Sequence, residues 1–442
     1  MIDYLPRFRG GAGDIAVNPL MLAGPVPGVD LRSVGLLLAP PVLSGEFVPV
    51  SFWKGVERLS PSPLVPEPAP LGLRAAFADA VRAAIGDAEG IGVMLSGGLD
   101  SLAVLLHACE VAEGRRVTAF TIDLSDDSGG GSVAEVRRLL DAFGLDVELV
   151  VLDPARDRVE PLWSPVGPRL DGLPEVHAAA SAYAEDRGIG VILSGDGSDE
   201  LLGTPRFATV EIARRRGLRG AHRYLRDMAG SGPGVPGEVA AIAARLLPRR
   251  LRAAMYWAEN WVEWCDPVAP DLLQEPYRTY ATEWSRRWVA EEVAAHARAG
   301  RTWAEADAHD ALFPHTVPPQ AGRVPERSPF LEPSFVAAAL AVPLADRCGT
   351  DLPSKYWRGK ALVLELLPSG ATAKLSPRKQ YYSGALTGQA ARLDTGGRLL
   401  LVESGLIDPR KLAGERDTGT LLSLAGIERW LRGAERYGAT IG

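Results

Sequence analysis

Cysteine is scarce, with three in 442 residues (Cys109, Cys265 and Cys348), far apart and never in a CxxC spacing. That excludes a disulfide framework and a cysteine zinc site, and suits a reducing compartment. The six histidines show no ligand spacing, so none is assigned to a metal or to catalysis. No apolar run reaches the roughly 18 residues of a membrane span. The opening MIDYLPRFRGGAGD lacks the basic start, apolar centre and small-residue cleavage site of a secretory signal, so a cytoplasmic protein is expected. Neither sign of charge dominates: 48 Lys and Arg face 55 Asp and Glu, a net charge of −7. Bulk attraction to nucleic acid or to an anionic membrane is therefore not expected. There is no GxxxxGK[ST] loop, no GxGxxG followed by a ribose-binding acid, no internal repeat and no heptad run. What remains is a soluble composition, 46% hydrophobic and 23% charged, long enough for two or three domains and a sizeable core.

The pattern changes along the chain. Residues 1–70 are apolar and proline-broken, with strand-like pieces at Val34–Leu38 and Phe47–Phe52, and they end in SPSPLVPEPAP. They read as a small N-terminal module and linker. Residues 71–204 alternate helical and strand patterns: LGLRAAFADAVRAAI, then IGVML, AVLLHACEVA, VTAFTIDL, Val133–Phe143, Val147–Leu152, HAAASAYAEDRG and Gly190–Leu193. Such alternation predicts a parallel sheet covered on both faces. Residues 205–320 turn to helices rich in arginine and tryptophan, divided by the loop GSGPGVPGE, and 321–442 are mostly helical again.

Two polar segments sit where strands end. Ser96-Gly97-Gly98-Leu99-Asp100-Ser101 lies between the strand ending at Leu95 and a helix. There, free backbone N–H groups and the helix N-terminus attract anions, and small residues let a phosphate approach the backbone. Asp100 would repel an anion, so its natural role is to hold a Mg²⁺ bridging to phosphates. The alternative is a glycine-rich turn with no ligand. Ser194-Gly195-Asp196-Gly197-Ser198-Asp199-Glu200 follows a second strand. Ligands of open α/β sheets bind beyond the carboxyl ends of the strands, so both loops can face one crevice. Asp199 could then share the metal with Asp100, and Asp196 could point at the reacting groups; an Asp-rich helix cap is the plainer alternative.

These segments resemble the asparagine synthetase family. SGGLDS is similar to its pyrophosphatase (PP-loop) segment, and SGDGSDELLG to its SGEGSDELFGG. Downstream, Arg327-Ser328-Pro329-Phe330-Leu331-Glu332 resembles RVPFLD, Lys355-Tyr356 resembles KYLLR, and Ser376-Pro377-Arg378-Lys379-Gln380 resembles RPKQ. SFWKGVERLSP, at 51–61, is similar to the stretch joining that family's glutaminase and synthetase domains. The resemblance implies a PP-loop ATP pyrophosphatase-like fold: α/β, a parallel twisted sheet flanked by helices, with a large helical elaboration and a vestigial N-terminal module. It also implies ATP and Mg²⁺ as cofactors and an acyl-adenylate on the way to an amide. Leu95, Ser96, Gly97, Gly98, Ser101 and Gly195 would contact the nucleotide, and Asp100 and Asp199 the metal. Lys355 and Lys379 would approach the α-phosphate or the tetrahedral intermediate, with Lys355 alternatively an exposed surface lysine.

Departures from the family sharpen the expectation. Residue 2 is Ile2 rather than the cysteine nucleophile of a glutaminase, and fewer than a hundred residues precede the ATP loop, so hydrolysis of glutamine by the family route is not expected. Asp196 stands where asparagine synthetases have glutamate and β-lactam synthetases tyrosine. KYWRGKA departs from KYLLRxA, and Pro325-Glu326 replaces Glu-Ala. GLIDPRKLAGE and ERWLRG resemble the ends of lasso-peptide macrolactam cyclases. The expected activity is amide formation on a small-molecule or peptide substrate by ring closure. In the lasso case a precursor peptide, a leader-binding protein and a protease would be partners. Ammonia-dependent amidation and a catalytically silent binding protein are the alternatives. The arginines at 214–216, 219, 223 and 226, with Trp257, Trp261, Trp264, Trp284 and Trp288, read as core and solvated faces, or else as a cleft for an extended substrate.

Overall fold

The protein is seen here as a computed structural model that describes residues 6–38, 50–59, 72–230, 234–266, 270–312, 319–390 and 397–442. The proline-rich stretch 60–70 and residues 47–49 lie outside the described residues.

At the N-terminal end, β1 (Arg7–Gly10), β2 (Ile15–Ala16) and β4 (Val56–Leu59) form an antiparallel sheet of order β2-β1-β4. β3 (Gly28–Val29) pairs in parallel with β10 (Thr440–Ile441). The expected strand at Val34–Leu38 is instead helical, comprising the end of α1 (Leu31–Gly35) and a 3₁₀ turn. A short apolar run does not distinguish strand from buried helix, and Asp30 decides it. Its carboxylate accepts the Arg32 N–H (3.1 Å) and the Ser33 hydroxyl (2.7 Å), the signature of a helix cap.

The central sheet is parallel throughout, in the order β7 (Glu148–Leu152), β6 (Arg116–Ile122), β5 (Gly90–Met94), β8 (Val191–Leu193), β9 (Glu326–Arg327). In register, Val93 pairs with Ala119 on one side and Leu193 on the other. Intervening helices are α2 (Leu73–Ile85), α3 (Leu99–Val111), α4 (Ser132–Phe143) and α5 (Pro174–Asp186). In α2, Ala76, Phe77, Ala80, Val81, Ala84 and Ile85 recur at helical spacing and are buried. Phe77 packs on Phe330 (4.5 Å between centroids) and Phe335 (4.8 Å), fastening α2 to the segment after β9. Each such fully buried side chain contributes about 1.5–3 kcal/mol.

After β8 come α6 (Ser198–Leu202), α7 (Thr209–Met228, broken at Gly217), α8 (Gly234–Ala244), α9 (Arg249–Asn260), α10 (Val262–Cys265), α11 (Tyr277–Ala299) and α12 (Trp303–Asp310). Gly234–Glu238, expected in a loop, begins α8. Tertiary contacts override the glycines there: the buried Glu238 carboxylate accepts the Phe207 N–H (2.6 Å) and the hydroxyls of Thr209 (2.6 Å) and Tyr224 (2.7 Å). Trp257, Trp264 and Trp303 are buried with Tyr224 and Tyr256, and Trp284 stacks on Trp288 at 5.6 Å. The tryptophans of this region form core and not a cleft.

The chain then supplies α13 (Pro333–Leu340), α14 (Lys355–Gly359), α15 (Ala361–Leu366), α16 (Ser383–Ala390), α17 (Leu400–Glu403), α18 (Pro409–Gly414) and α19 (Thr418–Tyr437). α13 and α15 join the core of the sheet. α19 packs with α1 and the N-terminal sheet, where Trp53, Trp163 and Trp430 meet edge to face. Among the described residues no helix is long and apolar enough to cross a membrane.

Candidate functional site

The strand order places a topological switch between β5 and β8. From β5 the chain moves outward to β6 and β7, then returns to the other side of β5 as β8. Loops leaving β5 and β8 therefore diverge and open a crevice at the carboxyl end of the sheet. The loop after β5 is Leu95–Gly98 running into α3, and the loop after β8 is Ser194–Gly197 running into α6. They are in contact. A Cβ on Gly195 would lie 3.0 Å from the Ser101 nitrogen and 3.2 Å from the Asp100 Cβ, so only glycine lets the loops approach this closely.

Asp100 and Asp199 converge on one point. The ammonium of Lys360, a buried residue between α14 and α15, lies 2.6 and 2.5 Å from the two Asp100 oxygens and 2.7 Å from Asp199 Oδ1. Ser198 donates its hydroxyl to Asp100 Oδ1 (2.5 Å), and Lys379 Nζ stands 3.7 Å from Asp199 Oδ2. Burial would lower the Lys360 ammonium's proton affinity, but Asp100 and Asp199 outweigh it and raise its pKa. For Asp199, partial burial would raise the carboxyl, and Lys360 with Lys379 hold it below the ordinary range. Its stabilising contribution is thus complete above its unfolded value, about 3.9, and is lost as pH falls through the lower folded value. Asp199→Asn is expected to flatten the fall of melting temperature in acid, below about pH 4. An unchanged acid limb would remove Asp199 from that balance.

A cavity of about 160 Å³ opens beside this cluster, lined among others by Ser96, Gly97, Gly98, Glu135, Tyr356 and Lys379. Gly98 is the N-cap of α3 and brings no capping side chain to the first-turn amides. Ser101, buried, accepts the Ser96 N–H (3.2 Å) and donates to the Gly98 carbonyl (3.2 Å), which fixes the loop. The segment Ser376–Tyr382 covers the cavity and is held by the turn after β6. Asp126 accepts the Tyr381 N–H (3.1 Å), and Asp127 accepts those of Ser383 (3.2 Å) and Gly384 (3.1 Å). The Tyr382 hydroxyl donates to Gln380 Oε1 (2.7 Å).

The residues fit the expected ligands. Asp100 and Asp199 share the Lys360 ammonium as a neighbour at 2.5–2.7 Å, which brings their carboxylates close together, and such hard oxygen donors suit a Mg²⁺ beside it. Asp100 and Asp199 would hold it, where it would neutralise phosphate charge. The uncapped turn at Gly97–Gly98 suits a pyrophosphate.

Ser96, Gly97, Gly98, Asp100, Asp199 and Lys379 are brought together around the cavity, with Leu95, Ser101 and Gly195 immediately behind them. Asp196 lies on the same loop but exposed, its carboxylate accepting the Ser194 hydroxyl (2.8 Å) and its carbonyl accepting that of Ser328 (2.5 Å). Lys355 is not brought to the cluster. It is exposed at the start of α14, its ammonium 3.9 Å from where a Cβ on Gly230 would stand. Lys360, five positions on in the same segment, is the cation that reaches the acid pair. Sequence reasoning missed it, along with Asp126 and Asp127.

Two other polar groupings are built differently. His296, His309 and Asp310 cluster at the α11–α12 junction with ligand-like proximity. Arg301 approaches His296 Nδ1 (3.1 Å), and arginine can only donate, so Nδ1 accepts and Nε2 carries the proton toward Asp310 (3.1 Å). Hydrogen bonds thus tie this junction together. A larger cavity, about 300 Å³, lies between the start of α5 and α19. Four of its five arginines pair with its own acids, Arg158 and Arg429 with Glu175, Arg169 with Asp171 and Arg432 with Glu428, while Arg436 donates to the Arg432 carbonyl (3.3 Å).

Comparison with known proteins gives the following. A family model described as asparagine synthase matches residues 72–369. Amidase chyE of Penicillium rubens is 29% identical over 147 residues, 29% of this chain and 21% of that protein. Amidase chry2 of Gibberella zeae is 28% identical over 149 residues, 30% of this chain and 22% of that protein. This chain thus spans about a fifth of the length of these curated relatives. Among solved structures, the U34-tRNA thiolase NcsA from Methanococcus maripaludis with its [4Fe-4S] cluster aligns with a TM-score of 0.21 and 11% identity, over 51% of this chain and 79% of that one.

Proposed function

The chain belongs to the asparagine synthase family, and from that premise we propose that it is an AMP- and pyrophosphate-forming amide-bond synthetase whose nucleophile is an amine of its own substrate. The product class is a lactam or macrolactam of natural-product type, as in lasso-peptide cyclases, made from a small molecule or a precursor peptide. Convergence of Asp100 and Asp199 at the switch-point crevice, beside the Ser96–Ser101 turn, is the observation that carries the reading. The two fungal relatives carry the name amidase, and the proposal takes amide chemistry from that name to this chain.

In the first step a substrate carboxylate oxygen bonds to the α-phosphorus of ATP and the bond to pyrophosphate breaks. Gly97, Gly98 and Ser96 would bind the leaving pyrophosphate, and Lys379 would offer the nucleotide's phosphate charge a compact positive counterpart. In the second step the amine nitrogen attacks the acyl carbon, AMP leaves, and one amine proton passes to a base. Asp196, exposed on the loop after β8, takes that proton.

Incubation with ATP and the substrate should release AMP and pyrophosphate, and the product should be lighter than the substrate by one water. ADP and phosphate would contradict the first step, and a product carrying an added ammonia nitrogen would contradict the second. Asp196→Asn is expected to leave ATP–pyrophosphate exchange intact and to slow amide formation by roughly 10²–10⁴-fold. Loss of both together would instead place Asp196 in the nucleotide site.

A further inference from the structure

A dense run of like charge lies on α7, outside the crevice. α7 carries six arginines, Arg214, Arg215, Arg216, Arg219, Arg223 and Arg226, although the chain as a whole is acidic. All six are exposed. The two acids of α7 are both committed elsewhere: Glu211 pairs with Arg245 in the turn after α8, and Asp227 is buried against Arg358 (2.5 Å). On the arginine side, Asp346 neutralises Arg215 (2.7 Å) and Arg216 (3.0 Å), while Arg223 donates to the Thr350 carbonyl (2.7 Å). Among the described residues Arg214, Arg219 and Arg226 have no acidic partner within 4 Å.

Beside this helix runs an apolar one. α8 is tied to α7 by Glu238, whose carboxylate binds Thr209 and Tyr224, and the turn after α8 is tied to the first turn of α7 by the Glu211–Arg245 pair. Its outer face and the turn after it present Val235, Val239, Ile242 and Leu246 to solvent, at intervals of four, three and four. Leu246 is 90% exposed, and Leu218, beside the break in α7, is 84% exposed. A row of that spacing covers about three helical turns, roughly 16 Å. Single exposed leucines are ordinary, but a periodic exposed row on a helix packed against one that carries unpaired arginines combines apolar and cationic surface.

We infer that the α7–α8 face docks an acidic amphipathic helix of a separate protein, one that presents the substrate to this synthetase. Charge complementarity argues for an acidic partner, and the apolar row argues for a helix with an apolar face; an unstructured polyanion would use only the arginines. The position fits delivery: the C-terminal end of α7 is joined through Asp227–Arg358 to α14, and Lys360 directly after α14 holds Asp100 and Asp199. The role as a substrate-presenting partner rests on the proposed synthetase function, whereas the docking itself does not.

The test uses the full chain and a labelled synthetic peptide of about 18 residues, glutamate-rich on one helical face and leucine-rich on the other. Its controls are a scrambled peptide of the same composition, phosphatidylglycerol vesicles and a short single-stranded RNA. Saturable binding of the amphipathic peptide is expected, weakened at least tenfold by Arg219→Glu/Arg226→Glu and at least tenfold by Val239→Ser/Leu246→Ser. Equal binding of the scrambled peptide, or tighter binding of vesicles or RNA, overturns the proposal, as does absence of binding at millimolar peptide. Both variants should retain wild-type ATP–pyrophosphate exchange with free substrate. Exchange that is absent from the wild-type chain while the peptide binds would defeat the synthetase reading and leave the docking surface standing.

Discussion

Lys360→Met is expected to lower ATP–pyrophosphate exchange by roughly 10²–10³-fold, the size typical of losing one preorganised charge in an active site. Lys355→Met should change it less than threefold. The two lysines are five residues apart in one sequence segment, but only Lys360 reaches both carboxylates. Without its ammonium, Asp100 and Asp199 face each other unneutralised and move apart, so the geometry that converges on one cation is lost. Methionine keeps the length and apolar stem, which separates loss of charge from loss of packing. Equal loss in the two variants would mean that Lys360 is structural only; strong loss in Lys355→Met alone would return the role to the exposed lysine.

The second large effect concerns stability. Asp227→Ala is expected to cost about 3–5 kcal/mol, seen as a lowered unfolding midpoint, because it strands the Arg358 guanidinium in a buried site. Asp227 accepts both Arg358 Nε (2.5 Å) and Nη2 (2.7 Å), and Arg358 Nη1 donates to the Leu352 and Pro353 carbonyls at 2.9 Å. Replacing the pair together, Asp227→Leu with Arg358→Met, should recover most of the loss, since apolar groups of similar volume often substitute for a buried pair. If the single variant melts with wild type, the pair does not hold α7 to α14.

The sheet and its two loops were legible because their signals are local. Alternating strand and helix patterns between 71 and 204 gave β5 to β8 in order, and strand-to-helix turns containing SGGLDS and SGDGSDE placed the crevice. Less could be read where the decisive contact is distant. β9 is two residues long, too short for periodicity, and is a strand only because Ser194 and Ile192 donate to Arg327 and Pro325. Lys360 escaped notice because helix patterning reads 358–367 as continuous, whereas the backbone turns at Lys360 (φ −111°, ψ 24°) and carries its side chain inward. Val34–Leu38 was misread for the reason already given, a cap outweighing an apolar run. Asp126 and Asp127 had no motif, since their partners are backbone amides more than 250 residues away.

That sequence separation also sets an order of birth. Asp100 meets the ammonium that neutralises it only across 260 residues of chain. A ribosome releases α2 to β8 long before β9 can close the sheet edge or Lys360 can arrive. Until then the nascent crevice holds an acid pair with no fixed countercharge, beside an unpaired β8 edge. Lys360, and Lys379 after it, are thus synthesised only once the first four strands of the sheet have emerged, and a chain interrupted before them would carry those strands without a balanced site.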